Sequence, residues 1–148
     1  MKRRAALVVS VLAAFALATV AISAVAGAGG RPYTTTLVGA NERPGPGDPD
    51  GTGTASITLN QGLNEVCFHL TVSGIAPATL AHIHVAPATD PGPIVVHLAP
   101  PTSGESRGCV DNVDPELIKA IRQHPEAYYI NVHNADFPAG ALRGQLSK

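Results

Sequence analysis

Two histidines, His82 and His84, stand at spacing i, i+2 inside the segment LAHIHVAP. Side chains on a strand alternate between faces, so His82 and His84 share one face while Ala81, Ile83 and Val85 share the other. The apolar face is the one expected to be buried. Paired imidazoles on one face supply two nitrogen donors, which is half of a zinc or copper site. The competing use of the same pair is a plain polar outer face. Three more histidines (His69, His97 and His133) and Arg143 also fall on the less apolar side of their own segments. The metal-ligating set read from this pattern is His82, His84 and His133, with His97 as a further candidate, for copper or zinc. Three imidazoles with an open position would give Lewis-acid or redox chemistry. Arg143, Asp136 and Asn134 are the expected supporting polar residues. Loop carbonyls together with Asp136 or Asn134 are expected to hydrogen-bond the rings, and the arginine to pin loop carbonyls or a carboxylate.

No rival chemistry is legible. The chain has no Gly-x-Ser-x-Gly, no paired-glutamate arrangement and no phosphate loop, so no catalytic residue is assigned. Asp48 and Asp50 lie in a proline- and glycine-rich stretch without the ligand spacing of a calcium loop, and are read as turn residues.

The elements that must carry these residues are short strands. Tyr33 to Ala40 is rich in threonine and suits a first strand, and Asn41 to Gly53 is loop. Thr54 to Asn60 and Glu65 to Ser73 alternate as a hairpin. Val66, Phe68, Leu70 and Val72 point inward there, and Cys67, His69 and Thr71 point outward. After the histidine strand come Ile94 to Leu98, with Ile94, Val96 and Leu98 on one face, and a loop from Ala99 to Gly108. A short strand at Cys109-Val110 follows. Asp114 caps one helix that opens with Pro115, carries Leu117, Ile118 and Ile121 on one side, and is stopped by Pro125. His124 then reads as an exposed helix-end residue. Ala127 to His133 and Gly140 to Leu146 close the chain. Seven or eight such strands predict an all-β Greek-key sandwich or barrel with one short helix, immunoglobulin-like or superoxide-dismutase-like.

The first 26 residues place Met1-Lys2-Arg3-Arg4 before an uncharged alanine-rich run that ends in small residues, the pattern of a cleaved secretory signal peptide. The rival reading is an uncleaved membrane anchor. Residues 27–32 form a flexible lead-in. Beyond residue 26 the basic residues are scattered and outnumbered by the 11 acidic ones, which argues against nucleic acid as a partner. The chain's only two cysteines, Cys67 and Cys109, are expected to form a disulfide in an oxidising compartment, worth roughly 4 kcal/mol.

LVGANERP, AHIHVAP, GPIVVHL, YYINVHN and FPAGALRGQL, in that order, resemble the CHRD (chordin-type) domain family, as a bacterial-type exported member. The resemblance covers roughly residues 33 to 147 and implies a domain over residues 33–148. The function implied is an extracellular binding or structural module, secreted or in the cell envelope, whose partner is an unidentified extracellular protein or surface component. A membrane partner is expected only with an uncleaved signal segment. The histidine pattern is also similar in part to copper-zinc superoxide dismutases, which carry such a pair on the outside of a Greek-key barrel. Their histidine-rich loop with its zinc aspartate has no counterpart, because Asp90 is the only carboxylate between His84 and His97.

Overall fold

A computed structural model describes residues 32–148. The signal segment at residues 1–26, and all but the last residue of the 27–32 lead-in, lie outside the described residues. Among the described residues no helix is long and apolar enough to cross a membrane.

The strands are β1 (Tyr33–Val38), β2 (Thr52–Asn60), β3 (Glu65–Ser73), β4 (Ala78–Val85), β5 (Ile94–Leu98), β6 (Glu105–Val110), β7 (Tyr128–Asn134) and β8 (Leu142–Gln145). One helix, α1 (Pro115–Gln123), precedes β7. All pairings are antiparallel and the order is β5-β4-β7-β8-β1-β2-β3-β6. The sheet curls into a nearly closed barrel. Its two end strands come together through the Ser106 hydroxyl, which donates to the Ala99 carbonyl across the seam (2.8 Å).

Period-two alternation fills the interior. Leu37, Ile57, Val66, Leu70, Ile83, Ile130, Val132 and Leu142 are fully buried in one cluster. The helix forms as its end signals dictate. Asp114 accepts a hydrogen bond from the Glu116 amide (2.9 Å), Pro115 occupies the first turn, and Ile118 and Ile121 join the core. His124 lies at its C-terminal end with an exposed side chain, 3.5 Å from Glu126. Cys67 and Cys109 face each other directly across β3 and β6 and are disulfide-bonded.

Among the differences from the sequence expectation are two strand starts and one side-chain orientation. β2 begins at Thr52 and β6 at Glu105, because each continues a ladder with β3 that local turn residues do not reveal. Ile94, expected inward, is 42% exposed. A register shift pairs Ile83 with Val96 but His84 with Ile94, and this slip turns Ile94 onto the outer face.

Candidate metal centre

Neighbouring positions on β4, β7 and β8 build the site. Register places His82 opposite Asn131, His84 opposite Tyr129, and Asn131 opposite Arg143. All five belong to the face turned away from the apolar core. The sequence left this face open between a metal half-site and a plain polar outer surface, and in the structure it is covered. His82, His84 and His133 are 3%, 8% and 9% exposed, and Arg143 is 1% exposed.

Three connections cover the face, and each is tied down by the polar side chains beneath it. In the β4–β5 connection, Arg143 donates to the carbonyls of Asp90 (3.0 Å) and Pro87 (2.8 Å), and Gln145 donates to that of Ala86 (2.8 Å). The Gly92 amide donates to the Tyr129 hydroxyl (3.1 Å). Glycine is required at position 92, since a Cβ there would collide with the Val85 carbonyl. The β7–β8 connection lies over His133 and accepts from its Nδ1 through Pro138 O (3.0 Å). The β1–β2 connection brings in Glu42, which accepts from Asn131 Nδ2. Gly140, at φ +148°, keeps open the space that Glu42 occupies. In the same connection Asp48 accepts from the amides of Asp50 and Gly51, the turn role read from sequence.

Hydrogen-bond partners fix the protonation of the rings. Gly92 O accepts from His84 Nδ1 (2.8 Å), and Pro138 O accepts from His133 Nδ1. Carbonyls only accept, so both rings carry the proton on Nδ1 and a lone pair on Nε2. His82 Nδ1 donates to His133 Nε2 (3.2 Å), which leaves His82 Nε2 with a lone pair. Backbone carbonyls that orient the far nitrogen of a ring are the usual surroundings of metal-ligating histidines.

One donor nitrogen from each of His82, His84 and His133 lies within 4.8 Å of the others. Two nitrogens bound to one tetrahedral zinc sit about 3.3 Å apart. The His82 Nδ1–His133 Nε2 pair has that separation but is bridged by the His82 proton, which must move to Nε2 before both nitrogens can ligate, and the third donor lies within 4.8 Å of each. Among the described residues His84 Nε2 is buried without a partner, as is Asn131 Oδ1 on the same face. Buried nitrogens and oxygens rarely go unpaired.

Burial drives the electrostatics. It lowers the pKa of His82 from 6.5 to about 4, helped by His133, His84 and His97. Burial likewise lowers those of His84 and His133, against the opposing pull of their carbonyl partners, and Arg143 adds to the lowering at His84. All three rings are thus neutral near pH 7 and competent as ligands. Burial also raises Glu42 from 4.5 to about 7.

The remaining predicted residues separate. His97 is exposed on the outer strand β5, its ring 4.9 Å from that of His82 but outside the three-donor group. Arg143 pins loop carbonyls, as its sequence role suggested. Asp136 is exposed, and Asn134 Oδ1 accepts from the Phe137 amide, so of the expected ring partners it is the loop carbonyls, at Gly92 and Pro138, that orient the rings. His69 points out of a different part of the barrel and pairs with Glu105 (2.8 Å). Cys67 and Cys109 also lie close to Glu65, but their disulfide leaves no thiolate to ligate. Two participants escaped the sequence reading. Tyr129 stacks on His84 (centroids 4.7 Å, planes 8° apart) and lies 3.5 Å beneath the Arg143 guanidinium. Glu42 gave no signal, since its segment reads as loop. Tyr129 could have been found from its place two residues before Asn131 on the outer face.

A family model described as the CHRD domain matches residues 33–146. No curated protein and no solved structure matches the chain.

Proposed function

The chain belongs to the CHRD domain family, and from that membership and the histidine geometry we propose that it is an extracytoplasmic binding module carrying a copper or zinc site. His82, His84 and His133 are the ligands. One observation carries this reading: three neutral imidazoles converge within 4.8 Å, and one of them buries a lone pair that no group among the described residues satisfies. The rings fit a first-row metal by donor type and by the carbonyls that orient them. Export is supported by the Cys67–Cys109 disulfide, a bond that persists in oxidising compartments. Within this reading the β-barrel is the module, and its partner is an extracellular protein or surface component.

The test is direct. The full chain is loaded separately with copper and zinc, dialysed, and its metal content measured. One ion per chain is expected, lost in His84→Ala and His133→Ala and kept in His69→Ala and His124→Ala. Failure to retain either ion removes the metal reading and leaves only the binding module.

A further inference from the structure

We infer that the three-histidine site is built for monovalent copper in preference to a divalent ion. This rests on the reading of His82, His84 and His133 as ligands, and adds the identity of the ion they select. The donor group contains only imidazoles. No carboxylate or thiolate belongs to it, and the cysteines are bridged. A divalent ion would therefore keep its full double charge in a place where the three residues are 3–9% exposed. Copper(I) brings half that charge and is satisfied by three imidazole nitrogens alone, whereas zinc on the same three imidazoles completes its tetrahedron with a water, which this covered face must also admit.

The surroundings push the same way. Arg143 is buried and permanently charged, and its guanidinium sits on the Tyr129 ring, whose other neighbour in the stack is His84. A fixed positive charge thus lies one ring beyond a ligand. Its repulsion of a bound ion scales with the ion's charge, and is twice as large for a dication. The nearby carboxyl, Glu42, is tied to Asn131 and largely desolvated, so it offsets this field only in part. Asn131 itself is neutral and stands directly opposite His82.

The experiment compares ions on the full chain with its disulfide intact, since freed thiolates would themselves take copper(I). Copper is held as copper(I) by ascorbate without oxygen and competed against bathocuproine disulfonate; zinc is competed against a chromophoric chelator. Copper(I) is expected to bind at one ion per chain, at least ~100-fold more tightly than zinc, and to be lost in His84→Ala. Asn131→Asp, which adds a carboxylate beside His82, is expected to narrow that ratio by ~10-fold. If Asn131→Asp does not fold, as judged by circular dichroism, the wild-type competition decides alone. Zinc binding as tightly as copper(I) would overturn the inference while leaving the histidine site standing. Binding of neither ion would remove both.

Discussion

On β3, His69 points away from the core, meets Glu105 at 2.8 Å and keeps 46% of its side chain exposed. On β4, His82 points away from the same core and is 3% exposed. Both positions obey the same alternation, so strand geometry does not separate them. What separates them is what lies above. The outer face of β1, β2 and β3 is an open lattice of hydroxyls, with Thr54 bonded to Thr71 and Thr52 to Ser73 across the ladder. The outer face of β4, β7 and β8 is roofed by three connections. A covered polar face must satisfy its own polar groups, and here Arg143, Gln145, His84 and His133 hold loop carbonyls, leaving His84 Nε2 and Asn131 Oδ1 unpaired among the described residues. The roof converts surface histidines into buried, neutral and oriented imidazoles.

The sharpest way to break this contrast is to loosen the roof. Arg143→Ala removes the charged donor from the Asp90 and Pro87 carbonyls, of which Pro87 O keeps only the Asp90 amide, and removes the contact with Tyr129. A loss of about 3–5 kcal/mol is expected in urea denaturation. Arg107→Ala, on the open face, is expected to change the same midpoint immeasurably, because its own side chain is 71% exposed and its partner Glu105 half exposed. Equal effects would show that the roof contributes nothing special.

A second, smaller effect follows from pH. The unfolded chain takes up the His82 proton near 6.5, but the folded chain does so only near 4, so this stability is full above 6.5 and lost as pH falls toward 4. His84 and His133 act in the same direction. Glu42 acts oppositely: its contribution is full below 4.5 and lost as pH rises through 7. Glu42→Gln removes the opposing slope. Its stability should therefore fall more steeply than that of the parent chain between pH 7 and 4.5, by about 3 kcal/mol across the window. Parallel pH profiles for the two proteins would contradict this account. The smallest effect belongs to the open lattice, where Thr54→Val should alter stability by less than about 0.5 kcal/mol.

Much of the barrel is legible in local pattern alone. Alternation in Thr54–Asn60, Glu65–Ser73 and Tyr128–His133 names the inward rows, and Asp114-Pro115 sets the start of the helix. The outward turn of Ile94 is not legible, because a bulge is a property of two strands paired and not of one. Nor is the role of Glu42, whose burial depends on Asn131 and Gly140, about ninety residues further along the chain.

By itself the sequence determined the β class, the disulfide partners and which side of each strand carries His82, His84, His133 and Arg143, because period-two patterning and cysteine count are local or arithmetic facts. Only the tertiary structure decided that these side chains meet and are sealed from water. β7 is inserted between β4 and β8, and that strand order, with the loops folded over it, arises from long-range pairing that no local pattern encodes.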